Sequence, residues 1–335
     1  MAIVVAGLNY KSAPIALLER LAIPHDRLPK ALGELSNRAH VLEGVILSTC
    51  NRVEVYAAVT KFHGGAQDLR DFLAEFCHVA PEDFVDRMYT YHDDAALRHL
   101  FRVAAGVDSM VLGESEILGQ LRRALSLARE EGVVRRELET AFLYALRAGR
   151  RARAETGIGR HPASISSAAV ELARQTFGST DGSLAARRVL VLGAGKMGRL
   201  AADALRRAGV TQVVVVNRTE ERAHALADSF GVTALPIAEL PAALVSADVM
   251  ICSTGTAEPL VDSDLVRQVM SRRADRPLLI VDIGVPRNVD AAVVEVPGVS
   301  LRYIDALREV TGAATATRLG ELPKVERIVS EEIEG

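Results

Sequence analysis

The apolar positions change period along this chain, and the changes divide it. Residues 3–8 (IVVAGL) run apolar without interruption, as a buried strand does. Three- and four-residue spacing over 14–21 and 26–38 predicts two short helices. VLEGVILS at 41–48 and VEVYAAV at 53–59 predict two strands around a tight connection, Thr49-Cys50-Asn51-Arg52. A helix near 66–77 and a strand near 84–91 complete an interleaved stretch that predicts an α+β sheet domain. From residue 93 the spacing becomes helical over 93–105, 115–131 and 134–155, with a glycine-containing loop at 106–114 between the first two. A helix near 164–177 leads into GSTDGS at 178–183, the best boundary signal in the chain. Beyond it, strands near 188–192, 212–216, 248–252 and 278–282 alternate with helices, the pattern of a doubly wound parallel sheet. After a last strand near 299–304, residues 306–335 turn polar and helical in composition. The predicted class is α/β: an α+β domain over 1–155, a doubly wound domain over 156–305 with its boundary loop near 178–186, and a helical segment over 306–335.

Composition narrows the function classes. A chain of 335 residues, 49% hydrophobic and 25% charged, builds two or three packed domains and is not disordered. A net charge of −3 excludes a strongly cationic nucleic-acid binder, while leaving room for local basic patches. Cys50, Cys77 and Cys252 form no CxxC pair and suggest no disulfide framework, which fits a reducing cytoplasm. The start, MAIVVAGLNYK, lacks the basic region of a signal peptide, and no run of about 18 uncharged apolar residues predicts a membrane span.

Two chemical signals stand out. RVLVLGAGKMG at 188–198 is a strand running into GxGxxG and then into a helix rich in alanine and leucine that closes at Gly209. Gly193 permits the tight turn, Gly195 lets backbone approach a pyrophosphate, and Gly198 permits close helix–strand packing. Ala194, Lys196 and Met197 complete the turn and the helix start, whose free N–H groups suit phosphate. The alternative is an empty domain whose glycines serve packing alone. The next strand ends in Asn217-Arg218-Thr219, where an NAD site usually places an acidic residue; an arginine accommodates the 2′-phosphate and predicts NADP. A charge-assisted bond there contributes about 1.5–3 kcal/mol, roughly a ten- to a hundred-fold preference. Arg218 can equally be solvated while Thr219 caps the next helix, and both can hold.

The second signal is Cys50, between two strands and beside Arg52. A tight loop next to a cation supplies the exposure and the charge a reactive thiolate needs; the alternative is a small buried hydrophobe. Cys77 reads as core, and Cys252 as core or cofactor-pocket lining. A nicotinamide cofactor together with a nucleophilic cysteine limits the chemistry to attack on an acyl group, a thioester, and its reduction to an aldehyde. The reading includes no metal.

GLNYKSAP at 7–14, LSTCNRVEVY at 47–56, HLFRVAAGVDSMVLGESEILGQ at 99–120 and ETGIGRHPASISSAAVELA at 155–173 carry a resemblance, as do GAGKMG at 193–198, VVNRT at 215–219, STG at 253–255 and VDIGVPRNVD at 281–290. In this order and over this length, the chain resembles the glutamyl-tRNA reductase family. The resemblance implies reduction of glutamyl-tRNA(Glu) to glutamate-1-semialdehyde with NADPH, the first step of tetrapyrrole synthesis by the C5 route. It implies Cys50 as nucleophile and His99 as a residue assisting proton transfer; the plain alternative for His99 is a helix-start histidine packed under the loop. It implies that Thr49, Asn51, Arg52, Ser109, Glu114, Ser115, Glu116 and Gln120 recognise glutamate. Arg52, a forked donor, suits the substrate α-carboxylate, and Glu114 or Glu116 meets the α-ammonium. Capping of a helix start is the alternative for Glu114 to Glu116. Many members carry Pro-Gln where this chain has Ser115-Glu116. Arg147, Arg150, Arg151, Arg153 and Arg160 face tRNA phosphates or form a solvated helix face. The resemblance also implies hand-off to glutamate-1-semialdehyde aminomutase, and a homodimer formed through a C-terminal helical domain beyond the point where this sequence ends. The competing readings are an NADP-dependent dehydrogenase of the shikimate dehydrogenase type, which has no use for Cys50, and a regulatory protein that binds cofactor or tRNA without turnover.

Overall fold

Two sheets organise the chain. The computed structural model describes residues 1–114, 116–159, 165–177, 183–256, 258–307 and 318–334. Strands β1 (Ala2–Asn9), β2 (Val41–Ser48), β3 (Arg52–Val59) and β4 (Tyr89–His92) form an antiparallel sheet in the order β2-β3-β1-β4. Strands β5 (Arg188–Leu192), β6 (Gln212–Asn217), β7 (Thr233–Pro236), β8 (Val249–Cys252), β9 (Leu278–Asp282) and β10 (Val299–Tyr303) form a parallel sheet in the order β10-β9-β8-β5-β6-β7. The chain divides into two units, residues 1–163 with 313–335, and residues 164–312.

The first unit carries α1 (Ile15–Leu21), α2 (Leu28–Ser36), α3 (Phe62–Cys77), α4 (Pro81–Phe84), α5 (Asp93–Ala105), α6 (Glu116–Glu130) and α7 (Arg136–Glu155). β3 is buried along its whole length, so both of its faces are core. β2 contains a bulge between Val41 and Glu43. The extra residue, Leu42, is 41% exposed, while Glu43 is turned inward. Its carboxylate accepts the N–H groups of Arg135, Glu137 and Leu138 at 2.9, 3.2 and 3.0 Å, capping the start of α7. Next to it, Gly44 N–H donates to the Val133 carbonyl.

The second unit carries α8 (Ile165–Phe177), α9 (Lys196–Arg207), α10 (Glu220–Phe230), α11 (Leu240–Ser246) and α12 (Ser263–Met270). Its central strands β5, β8 and β9 are short apolar runs buried on both faces. A final helix, α13 (Leu322–Glu334), returns to the first unit, where Val325 and Val329 enter the core against α5 and α7.

Several expectations shift. The units part at Ala163/Ser164 and Gly312/Ala313 and not at 155/156 and 305/306. The first shift arises because α8 packs on α9 and β9 of the parallel sheet. Within the helical segment expected over 306–335, α13 buries an apolar stripe in the first unit. The strand near 84–91 shrinks to β4, since Pro81 with Glu82 and Asp83 starts a helical turn. The short edge strand β7, Thr-Ala-Leu-Pro, has no strand signature and goes unforeseen. Residues 178–182 of the boundary loop lie outside the described residues.

Candidate functional site

The β2–β3 hairpin presents Cys50. Thr49 N–H donates to the Arg52 carbonyl at 2.9 Å and Asn51 N–H to Thr49 Oγ1 at 3.3 Å, which closes the turn. The residue after β1 braces it: Tyr10 N–H donates to the Asn51 carbonyl at 2.9 Å. Cys50 is half-buried at the tip.

Beneath the turn lies a buried charge cluster centred on Glu54, which is fully buried. Arg52 Nη1 donates to Glu54 Oε1 at 2.7 Å, and its Nη2 donates to the Asp108 carbonyl at 2.6 Å. The hydroxyls of Tyr56 and Tyr89 donate to Glu54 at 2.6 and 2.5 Å, and His99 Nε2 donates to Oε1 at 2.8 Å. Register explains how one carboxylate reaches so many partners. Glu54 on β3 lies opposite Gly7 on β1, and Gly7 lies opposite Tyr89 on β4. A Cβ at Gly7 would stand 2.8 Å from Glu54 Cγ, so only glycine lets this side chain cross the strand. Burial pushes the Glu54 carboxyl up, but Arg52 and His99 outweigh it and hold it well below the usual range. The Arg52 fork is therefore engaged internally and 2% exposed; it does not open toward a substrate carboxylate, as expected from the sequence. His99 sits in the middle of α5 and not at its start, packed against the stacked rings of Tyr89 and Tyr91.

The loop 106–114 closes the other side. Gly106 and Gly113 take φ of 74° and 78°, and Gly113 N–H donates to the Gly106 carbonyl at 2.9 Å. Arg153 on α7 donates to the carbonyls of Ala104, Gly149 and Glu114, pinning the loop. Ser109, Glu114 and Glu116 are all buried. Burial, with Glu116 adding to it, raises the Glu114 carboxyl to about 7. Burial, then Glu114 and Glu116, push the Cys50 thiol up to about 12, and Arg52 offsets little of this. The expectation of a cysteine activated by Arg52 is thus reversed: in this state the site holds a thiol beside two carboxylates, because Glu54 already neutralises the arginine.

Thr49, Asn51 and Arg52 flank Cys50 in its turn, and Glu114 and Glu116 act on it electrostatically; His99 belongs to the Glu54 cluster, Ser109 to the loop beside Glu114, and Gln120 lines a cleft that includes Ser48. Ser115 lies outside the described residues, as does Arg160. The remaining basic run is not a free phosphate-binding face. Arg151 pairs with Glu155, Glu331 and Glu332, Arg147 pairs with Glu332, and Arg153 holds the loop; Arg150 alone of the four is left as an exposed cation.

In the second unit, the sheet order reverses beside β5, which is flanked by β6 and β8; this is the switch point where such sheets bind ligands. Gly193 has φ 112°, and a Cβ there would meet the Ser253 backbone at 2.7 Å. A Cβ at Gly198 would collide with the Gly193 carbonyl, while at Gly195 it would meet nothing within 4 Å. Gly193 thus makes the tight turn and Gly198 the close packing that their spacing implies, while Gly195 leaves the helix start open. Asn217 Oδ1 accepts the Ala194 N–H at 3.1 Å and fixes the turn; Met197 uses its carbonyl to hold Ser166. Thr219 stands at the cap of α10 without a side-chain bond into the helix, so the capping alternative is not realised. The cleft is lined by Gly193, Gly195, Asn217, Arg218 and Arg222, with Ser253 to Thr256 on the far wall. Arg218 and Arg222 are exposed, and Ser253 Oγ is buried with no hydrogen-bond partner among the described residues. An open glycine at a helix start, two cations and an unused buried hydroxyl fit a phosphorylated dinucleotide. Cys252 is core, with its thiol held up by burial.

The family model for the N-terminal domain of glutamyl-tRNAGlu reductase matches residues 6–156, and that for shikimate/quinate 5-dehydrogenase matches residues 171–310. The glutamyl-tRNA reductase of Geobacillus kaustophilus is 44% identical over 333 residues, 99% of this chain and 72% of that protein. The Bacillus subtilis enzyme is 41% identical over the same shares. The chain belongs to the glutamyl-tRNA reductase family. The solved glutamyl-tRNA reductase from Methanopyrus kandleri shares its fold with a TM-score of 0.52 and 38% identity, over 99% of this chain and 78% of that one. Glutamyl-tRNA reductases are NADP-dependent oxidoreductases that reduce glutamyl-tRNA in the first step of C5-route tetrapyrrole synthesis, so NADPH is the dinucleotide that the second unit takes. No helix among the described residues is long and apolar enough to cross a membrane.

For a glutamyl-tRNA reductase, sequence reasoning missed three things. Glu54 was included in the strand at 53–59 and given no role of its own; the signal was Arg52, Glu54 and Tyr56 at period two, one face of β3. Arg222, one helical turn beyond Arg218, was passed over. Ser253 to Gly255, at the carboxyl end of β8 beside β5, was quoted as a match but not placed in the site, although the switch-point rule points there; Thr256 lines the same wall.

Proposed function

We propose that this reductase works through a Cys50 thioester. The observation that carries the reading is a half-buried thiol at a hairpin tip on which two buried carboxylates act, with the neighbouring Asn51 Oδ1 buried and without a hydrogen-bond partner among the described residues. Acceptors so arranged suit the α-ammonium of a glutamyl ester. Its charge offsets Glu114 and Glu116, and with them the pressure that keeps Cys50 protonated. The α-carboxyl of that substrate is the ester carbonyl itself, so Arg52 has no free α-carboxylate to bind; it orders the turn. Ser109, Thr49 and Gln120 orient the substrate's polar groups.

His99, whose Nε2–H is committed to Glu54, keeps Nδ1 for proton handling, 3.9 Å from Asp108 Oδ2. The Cys50 proton passes to Nδ1. Cys50 sulfur attacks the acyl carbon, a C–S bond forms and the C–O bond to the tRNA breaks. The tRNA leaves as its terminal alcohol, taking the proton from His99. NADPH, held at Gly193, Gly195, Arg218 and Arg222, supplies hydride when bound. As the acyl carbon becomes an aldehyde, the C–S bond breaks, and Cys50 departs as thiolate and regains a proton from water. To the same reading belong a cytoplasmic location, a homodimer and hand-off of the aldehyde to the aminomutase; three free cysteines accord with the first of these.

Acid-quenched intact mass after incubation with glutamyl-tRNA, with NADPH left out, tests the mechanism. A glutamyl adduct on the unaltered protein and none on Cys50→Ser is expected. An adduct of equal yield on the serine variant, or none on a folded protein that binds NADPH, overturns it.

A further inference from the structure

We propose that the cleft lined by Gln120 and Arg123 receives the 3′-terminal nucleotide of the tRNA ester, the leaving group of the reaction; this rests on the Cys50 reading above. The cleft opens at Ser48, two residues before Cys50, and its walls are α6 and the segment leading into α2. Ser48 Oγ accepts the Ile23 N–H at 2.9 Å, which ties the second wall to the end of β2. One face of α6 forms the first wall: Gln120, Arg123, Ala124 and Leu127 follow Glu116 at helical spacing. Glu116 faces Cys50 electrostatically, so this face starts at the nucleophile and leads away from it. From Glu116 to Arg123 the helix rises about 10 Å, a span that suits a ribose and its 5′-phosphate.

The lining divides by chemistry. Ile46, Leu47 and Leu28 are buried and make an apolar floor, the surface a base covers without a sequence code. Arg123 and His25 stand exposed on opposite walls. No hydrogen bond or ion pair engages either one among the described residues. The contrast is with Arg147, Arg151 and Arg153, which carboxylates and carbonyls of the same unit already hold. Arg123, a cation with no side-chain partner among the described residues, and the exposed His25 ring stand above an apolar slot that opens at Ser48, two residues before Cys50; they match a nucleotide whose phosphate lies at the rim and whose base lies within. Once the thioester has formed, this nucleotide no longer shares a bond with the enzyme-bound acyl group and departs along the cleft.

Steady-state reduction of glutamyl-tRNA and of a small activated glutamyl ester without a nucleotide is the test, run on the unaltered enzyme, Arg123→Glu and Ala124→Leu. Arg123→Glu is expected to raise KM for glutamyl-tRNA roughly tenfold or more, and to flatten its log–log dependence on salt by about 0.7 or more, as loss of a single-strand phosphate contact does. Ala124→Leu, which fills the slot, is expected to raise the same KM with the salt slope kept. Both variants are expected to retain turnover of the small ester. Unchanged KM for glutamyl-tRNA in both variants overturns the subsite, as does an equal loss on the two substrates, which would make these residues supports of the Cys50 turn. Inactivity of the unaltered enzyme on both esters sinks the Cys50 reading itself, and the subsite with it.

Discussion

At Gly193 the chain turns with φ at 112°, beside Ser253 backbone where a side chain would collide. At Cys50 it turns in an ordinary hairpin, and the support lies one layer down, in Arg52, Glu54, Tyr56, Tyr89 and His99. The first site is made of backbone and absent side chains. The second is made of charge that is buried and mutually neutralised. A ligand meets an open glycine turn and exposed arginines at the first; at the second it meets carboxylates that hold the Cys50 thiol protonated, a pressure that on the proposed reading a cationic substrate relieves. The dinucleotide cleft is shaped by backbone and glycine alone, whereas the proposed cysteine chemistry depends on the charge its substrate brings.

That difference can be broken by substitution. The largest effect is expected from Glu54→Ala, which leaves Arg52 buried without its partner and costs about 3–5 kcal/mol. Urea unfolding of the first unit reads it, and NADPH affinity is expected to stay unchanged, since that cleft is built entirely in the second unit. Because Glu54 is held below its usual range, its stabilisation is complete above the unfolded value of 4.5 and is lost as pH falls through the lower folded value. Equal stability of variant and parent at pH 7 would show that the cluster is not what supports the turn.

Glu114→Gln is expected to act in the opposite direction. A carboxyl raised from 4.5 to about 7 stabilises fully below 4.5 and loses that contribution as pH rises through 7. The variant and parent should agree at pH 4, while at pH 9 the variant should be more stable by on the order of 3 kcal/mol. Denaturant midpoints across that range decide it; a gap that does not change with pH counts against a buried, ionising Glu114.

The smallest effect belongs to the dinucleotide cleft. Arg218→Ala is expected to cost about 1.5–3 kcal/mol, or roughly ten- to a hundred-fold, in NADPH binding, and nothing in NADH binding. Fluorescence titration with the two dinucleotides measures it. An equal loss of both would place Arg218 at the pyrophosphate instead.

The same contrast explains what could be read from the sequence. A turn that excludes side chains at 193 and 198 and stays open at 195 leaves glycines at fixed spacing, so these positions were legible, and Asn217-Arg218 followed from the strand before them. The parallel sheet was legible because strands buried on both faces are continuous apolar runs. A buried charge cluster leaves no such trace. Its members come from β3, β4 and α5, and only the register that places Gly7 between Glu54 and Tyr89 brings them together. Reading Arg52 by its side-chain type alone aimed it at a substrate; its partner two residues along the same face of β3 had already taken it. The unpaired Arg123 was hidden for the converse reason, since a solvated arginine on a helix looks like any other until the floor beside it is seen.

The bulge at Val41/Glu43 bears on how this protein behaves among its neighbours. Strands β2 and β4 are the outer strands of the antiparallel sheet, and outer strands are where chains join one another into aggregates. On β2 the Gly44 N–H is already bonded to Val133, and Glu43 is locked onto the start of α7. β4 is only four residues long, and Tyr91 and His92 are exposed along it. A second chain seeking to template on this sheet finds a kinked, occupied margin on one side and a stub on the other. Opening the helix cap by replacing Glu43 would remove that protection along with the cap, and colloidal instability at high concentration would accompany the fall in folding stability.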